Sequence, residues 1–347
     1  MTQNLRLFCI KVSAVVFFLL IFQLSNAQYN FTELDAKLKQ YQKQLGNNVV
    51  ALVYKDGKMV YTNELGDFKT NTVAQIASCS KWLTAALVMQ FVDEGKLSLD
   101  DYVSKYIPDM TKYGKGYITI RQCLSHTTGI HNEAPLLSII RLSRYATLEE
   151  EVNDFMSKHE LDAQPGKEFR YSSIGLNMAG RVLEIISKKS FDRLIQDKLL
   201  RPLNMRYTTF ASEKAPNPSG GAKSTALDYM NFLTMILNKG MFNGKRILSE
   251  QSVEIMQQSQ TTPAMIKYAP KPAEGFNYAL GEWVLAQDKN GKSTAVSSPG
   301  LFGTWPMVDY TGNYAAIIFV KTLINDDRKE IYMDMKGAID KAVGVGK

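Results

Sequence analysis

Ser78-Cys79-Ser80-Lys81, continued by Trp82-Leu83-Thr84-Ala85-Ala86-Leu87-Val88-Met89-Gln90-Phe91-Val92, is the stretch on which the fold turns. The run from Trp82 to Val92 is apolar on nearly every side and stops at Asp93-Glu94-Gly95, so it predicts a helix buried all round. Ser78 and Lys81 are three residues apart and share a face at the start of that helix. A lysine that opens such a helix is hard to solvate. Desolvation disfavours the ammonium form, so its pKa should fall towards the range where it accepts a proton from Ser78. The helix N-terminus also offers backbone N–H groups to an oxygen that turns negative. The same spacing elsewhere marks only an N-capping serine and a surface lysine. What separates the two cases is that this helix has no polar face to which Lys81 could belong.

Length and composition bound the surroundings of this helix. The chain has 347 residues, 45% of them hydrophobic, enough for one large domain or two modest ones. Arg6 and Lys11 precede an apolar run from Val12 to Leu24, and Ser25-Asn26-Ala27 places small residues at a cleavage site, so residues 1–27 read as an export signal with Gln28 as the mature start. The run is short for a bilayer span, and an uncleaved anchor is the alternative. No cysteine stands at the cleavage point, which argues against a lipoprotein. Loss of Arg6 and Lys11 takes the formal charge from +7 to +5, since residues 1–27 hold no Asp or Glu. No Lys and Arg run is interleaved with aromatics, so nucleic acid is not an expected partner, and no stable membrane insertion is expected after cleavage. Cys9 leaves with the signal. Cys79 and Cys123 remain, and two free buried thiols are expected rather than a bridge. On a helix Cys79 points about a quarter turn away from the Ser78 and Lys81 face, which suits core packing.

Asn48 to Tyr54 and Lys58 to Thr62 are β-branched runs joined through Asp56-Gly57, a strong hairpin signal. From Ser78 to about Arg206 the periodicity is mostly helical: Thr119 to Gln122 has the form of a capping box, and Tyr171 to Ile186 repeats apolar residues at helical spacing. After the Pro- and Gly-rich loop Ala215 to Gly221 comes a helix around Leu227 to Leu237. Strand patterns return at Tyr278 to Leu285, Ser293 to Ser297, Thr304 to Asp309 and Tyr314 to Thr322, and a last helix over about Asp327 to Val343 aligns Ile331, Met335, Ile339 and Val343. The expected fold is α/β (α+β): an antiparallel sheet flanked by helices plus an inserted, mostly helical domain. Its divisions are 28–75 with 219–347 for the sheet and 76–218 for the helical part.

Some apparent motifs carry nothing. Gly291-Lys292-Ser293-Thr294 looks like the end of a phosphate-binding loop, but Ala286 stands where the first glycine belongs and a strand follows. His126 and His131 lack metal-ligand spacing, so neither a metal nor a cofactor is expected. No Gly-x-Ser-x-Gly elbow occurs.

The order hairpin, Ile76-Ala77-Ser78-Cys79-Ser80-Lys81, Gly95-Lys96-Leu97-Ser98-Leu99-Asp100-Asp101 and Ile118-Thr119-Ile120-Arg121-Gln122-Cys123-Leu124-Ser125-His126-Thr127-Thr128-Gly129 resembles the serine β-lactamase and penicillin-binding protein superfamily. The likeness is to the branch with class C β-lactamases, D-peptidases and related esterases, and it extends through Gly220-Gly221-Ala222-Lys223-Ser224-Thr225 and Asn243-Gly244-Lys245-Arg246-Ile247-Leu248 over essentially the whole mature chain. It implies a β-lactamase/transpeptidase-like fold in which Ser78 attacks a carbonyl, Lys81 and a tyrosine handle protons, and water hydrolyses the acyl-enzyme. The tyrosine of that motif order is Tyr171, in Tyr171-Ser172-Ser173; Lys81 would either favour its phenolate or pass it a proton. Two positions depart from the family. Ser173 replaces the asparagine of Tyr-x-Asn, leaving one hydroxyl for substrate recognition. Ser298-Pro299-Gly300 stands where Lys-Thr-Gly or His-x-Gly is usual, so the cation for a substrate carboxylate is missing, while the N–H of Leu301 after Gly300 is retained as an oxyanion donor. The resemblance therefore implies an exported hydrolase of a small-molecule or peptide ester or amide, with a true β-lactamase and a non-catalytic binding protein as the alternatives.

Overall fold

A computed structural model of the protein describes residues 29–131, 144–323 and 328–345. The export signal expected over residues 1–27 lies outside the described residues. Helix α1 (Thr32–Tyr41) leads into strands β1 (Val49–Lys55) and β2 (Lys58–Leu65). Asp56 and Gly57 both adopt positive φ, +51° and +79°, the requirement of the tight turn whose twist matches a hairpin. That turn sets the register Lys55 opposite Lys58. Strands β3 (Asn277–Tyr278), β4 (Trp283–Gln287), β5 (Ser293–Ser297), β6 (Trp305–Asp309) and β7 (Tyr314–Val320) complete one seven-stranded sheet in the order β2-β1-β7-β6-β5-β4-β3, every pairing antiparallel. The first and last parts of the chain meet inside this sheet, next to the β2 edge, where Val49 pairs with Val320 and Lys55 with Tyr314.

Alternation along β1 and β7 sends residues to two different cores. Val49, Ala51, Val53, Ala316, Ile318 and Val320 pack with Leu34 and Leu38 of α1 and with Ile331, Met335 and Ile339 of the terminal helix α9 (Arg328–Val343). Val50, Leu52, Ala315, Ile317 and Phe319 face the larger cluster built on the intervening helices. The strands are buried on both faces, and each fully buried Val, Leu or Ile contributes roughly 1.5–3 kcal/mol.

Helix α2 (Ser80–Asp93) runs through the larger core, with every residue from Ser80 to Phe91 buried. Around it stand α3 (Ile120–Leu124), α4 (Leu148–Lys158), α5 (Ile174–Ser187), α6 (Phe191–Ile195), α7 (Ala226–Leu237) and α8 (Glu250–Gln257). The capping box at α3 is complete: Thr119 accepts from the Gln122 N–H and Gln122 from the Thr119 N–H. Helix α5 departs from the sequence pattern, which predicted a start at Tyr171. It begins at Ile174 because Phe169–Arg170 pairs with Ile266–Tyr268 and the Tyr171 N–H donates to the Tyr268 carbonyl at 3.1 Å. The strand predicted over Tyr278 to Leu285 is broken by Gly281, whose φ is +81°. There a Cβ would stand 2.7 Å from Ala85 Cβ and 2.8 Å from the Lys81 carbonyl, so the glycine lets the sheet edge touch α2.

Candidate active site

Ser78 lies in a 3-10 turn, Ala77–Cys79, that leads into α2. Ala77 has φ +44°, a conformation costly for a residue with a Cβ, held by bonds on both sides: Ile76 N–H to the Ala222 carbonyl at 3.0 Å and Cys79 N–H to the Ile76 carbonyl at 3.1 Å. The Ser80 hydroxyl accepts from Ala222 N–H at 3.0 Å, and the Tyr229 hydroxyl donates to the Cys79 carbonyl at 2.8 Å. Cys79 and Cys123 are free and buried, and Cys79 points into the core, its thiol 3.6 Å from the Thr304 carbonyl.

Lys81 follows one turn later and is 2% exposed. Its Nζ is 3.2 Å from Ser78 Oγ and donates to the Ser219 carbonyl at 2.8 Å. Burial brings the amine down to about 7, because the ammonium loses its hydration and no carboxylate replaces it. The amine also lies 4.8 Å from the centre of the Tyr171 ring. Tyr171 is buried, which pushes its phenol above the usual range, with a hydrogen bond to Ser78 acting the other way. Its ring packs on His126 at 4.5 Å and on Trp283 at 5.3 Å between centroids. His126 Nδ1 accepts from the Ser172 N–H at 3.3 Å, so Nε2 carries the proton towards the Tyr278 hydroxyl at 3.1 Å. Burial holds His126 well below its ordinary pKa, so it is a neutral brace for the Tyr171 segment.

Ser78 and Tyr171 open on a cavity of about 480 Å³ that is also lined by Trp283, Pro299, Gly300, Leu301 and residues 267–274. Gly300 is required by close approach: a Cβ there would stand 2.3 Å from the Ile76 carbonyl oxygen and 3.1 Å from Cys79 Sγ. The turn before Ser78 thus lies directly against the turn that presents Leu301. The structure therefore brings Ser78, Lys81, Tyr171, Gly300 and Leu301 together.

Neither of the two serines expected to recognise substrate, Ser173 and Ser298, lines this cavity. Ser173 is the residue preceding α5, its hydroxyl makes no capping bond, and it does not line the cavity. Ser298 is buried, with its hydroxyl donating to the Gly281 carbonyl at 3.0 Å and lying 3.4 Å from the Ser78 carbonyl. It ties the end of β5 to the Gly281 turn, and Pro299 takes the place facing the cavity. Sequence reasoning also missed the Ser219 carbonyl, the His126 brace and the wall at 267–274. The last is a short segment containing Pro270 and Pro272, with no periodicity to read. Among the described residues no three His, Cys, Asp or Glu side chains gather as a metal site, and no helix is long and apolar enough to cross a membrane.

A serine hydroxyl beside a desolvated amine on a buried helix, next to the turn between β5 and β6 that carries Gly300 and Leu301, is the arrangement that a serine-hydrolase type of site requires. The beta-lactamase family model matches residues 34–336, and the chain belongs to that family. It is 27% identical to Protein flp of Staphylococcus aureus over 260 residues, 72% of this chain but 49% of flp, so it spans about half the length of that relative. It is 24% identical to the D-alanyl-D-alanine-carboxypeptidase/endopeptidase AmpH of Escherichia coli over 286 residues, 74% of each chain. Among solved structures, a candidate β-lactamase from Bacteroides dorei superposes with a TM-score of 0.81 at 28% identity, covering 91% of this chain and 99% of that one.

Proposed function

We propose that the protein is an exported serine hydrolase that forms an acyl-enzyme on Ser78 and hydrolyses an ester or amide, of the esterase or D-peptidase type. The observation that carries this reading is the 3.2 Å contact between Lys81 Nζ and Ser78 Oγ in a place where burial leaves much of the amine unprotonated at neutral pH. Lys81 takes the Oγ proton as Ser78 attacks the carbonyl carbon. Tyr171 acts as a phenol and not as a phenolate, because burial favours its neutral form. It hands its proton to the leaving group and is reprotonated by the Lys81 ammonium. The N–H groups of Ser78 and Leu301 receive the oxyanion. Water then attacks the carbonyl of the acyl-enzyme, giving a proton to the same pair, which returns it to Ser78 Oγ as the bond between Oγ and the acyl carbon breaks and the acid is released. On the proposed division of the chain, the helical part (76–218) supplies Ser78, Lys81 and Tyr171, and the sheet part (28–75 with 219–347) supplies Gly300 and Leu301.

Trp283, Tyr268, Pro270, Pro272 and Leu301 make the cavity walls largely apolar, which supports an apolar acyl or leaving group. A true β-lactamase is the second reading, favoured by the Bacteroides dorei likeness. Against it, Ser298 offers no cation and its hydroxyl is already engaged with Gly281. Intact-mass labelling with a fluorophosphonate and a penicillin in parallel decides between them. Labelling by the fluorophosphonate alone is expected; rapid turnover of the penicillin would favour the β-lactamase, and labelling by neither would leave a non-catalytic binding protein. Export is tested by N-terminal sequencing from the native host, with Gln28 as the expected start and any start upstream of Val12 against it.

A further inference from the structure

The turn that carries the Ser219 carbonyl is pinned from two helices. Within it, Gly221 and Gly220 donate to the Asn217 carbonyl at 2.8 and 3.2 Å. From α2, the Thr84 hydroxyl donates to the Pro218 carbonyl at 2.7 Å. From α5, Asn177 Oδ1 accepts the Ser219 N–H at 3.0 Å, a bond that N–H shares with Asn217 Oδ1 at 3.1 Å. Asn177 is fully buried among Ile174, Met178, Val182 and other apolar residues of α5, and its amide nitrogen donates to Glu151 Oε2 on α4 at 3.1 Å. Burying an amide and a carboxyl on an apolar helix face costs desolvation that a leucine would avoid, so packing alone does not call for Asn177. The chain of contacts runs from Glu151 through Asn177 and the Ser219 peptide to Lys81 Nζ.

A neutral amine has two N–H groups and one lone pair. When one N–H is fixed on the Ser219 carbonyl at 2.8 Å, the lone pair can be held towards Ser78 Oγ at 3.2 Å. We infer that Asn177 is a positioning residue for the Lys81 amine: acting through the Ser219 backbone, it fixes the carbonyl that orients Lys81 towards Ser78, with Glu151 holding the Asn177 amide. This rests on the proposed role of Lys81 as the base for Ser78.

The test uses hydrolysis of p-nitrophenyl butyrate and the rate of fluorophosphonate labelling, with the full chain. Asn177→Leu is expected to lower kcat on the order of ten- to a hundredfold, the scale of misplacing a reacting group by about an ångström, while KM stays within roughly twofold. Glu151→Gln keeps an acceptor oxygen for the Asn177 amide and is expected to stay near wild type; Glu151→Leu is expected to fall towards Asn177→Leu. In a Lys81→Ala background Asn177→Leu should cost nothing further, because the two act through one group. Unchanged kcat in Asn177→Leu, or the same fold loss with and without Lys81, would overturn the inference. If Asn177→Leu does not fold, the contrast between Glu151→Gln and Glu151→Leu decides it, and equal activity of the two would overturn it. Labelling that survives Ser78→Ala would sink the functional reading itself, whereas Ser78-dependent labelling indifferent to Asn177 would sink only this inference.

Discussion

Gly300→Ala places one methyl group where the sheet meets the turn before Ser78. The new Cβ would stand 2.3 Å from the Ile76 carbonyl oxygen. Carbon–oxygen contacts keep at least roughly 3.0 Å, so the two backbones must part by about 0.7 Å. Neither neighbour is a flexible tip that can turn aside: one is the Ile76 backbone and the next is Cys79 Sγ at 3.1 Å, itself buried. The strain falls on the two turns that present the Ser78 and Leu301 N–H groups, and it widens the gap between them. Loss of one oxyanion donor costs ~10²–10³-fold in kcat, and a misplacement approaching an ångström can cost ~10²-fold, so a drop of about a hundredfold in kcat is expected. The assay is steady-state hydrolysis of a p-nitrophenyl ester, with circular dichroism to confirm that the fold persists. Wild-type kcat in a folded Gly300→Ala protein would refute the placement of the oxyanion site between these turns.

Other outcomes follow from the same geometry. The kcat/KM profile should rise with pH and reach half its maximum near 7, because Lys81 must lose its proton to act and burial brings it to about 7. The Glu151 carboxyl is also pushed up to about 7 by burial, so the midpoint should survive in Glu151→Gln; a flat profile from about pH 5 to 9 would contradict Lys81 as the base. Lys81→Ala and Tyr171→Phe should each slow turnover by roughly a hundred- to ten-thousandfold, and the double variant should lose little more than the worse single one; additive losses would show that the two do not work as a unit. Glu282 is fully buried and its carboxyl is raised well above the usual range by desolvation. Above its unfolded value of 4.5 the unfolded chain ionises there while the folded one keeps its proton, so this residue lowers stability by up to ~1.4 kcal/mol per pH unit as pH rises towards the folded value. Thermal melts should therefore show Glu282→Gln gaining on wild type between about pH 5 and 8, and a pH-independent difference would contradict a neutral Glu282.

Much of this architecture was legible because the deciding interactions are local. Asp56-Gly57 specifies its turn through positive φ at both residues, Thr119 and Gln122 cap each other across three positions, and the run Trp82 to Val92 has no polar face to present to water. What escaped the sequence depends on partners far along the chain. Tyr171 looks like the first turn of a helix until Tyr268 takes its N–H, a contact set by the packing of residues 266–268. Ser298 stands where the resemblance implies a recognition residue, and only the fold shows that its hydroxyl donates to the Gly281 carbonyl and lies 3.4 Å from the Ser78 carbonyl. Asn177 sits in an apolar helical pattern with no motif around it, and its meaning comes only from Ser219 on one side and Glu151 on the other.

The proposed mechanism begins with Ser78 as the nucleophile. Its most direct measurement is intact-mass analysis of wild type and Ser78→Ala after reaction with a fluorophosphonate, followed by mapping of the modified peptide. One adduct on wild type, located at Ser78 and absent from Ser78→Ala, is the expected result. An adduct of equal rate on Ser78→Ala, or one mapped to another residue, would contradict the mechanism at its first step.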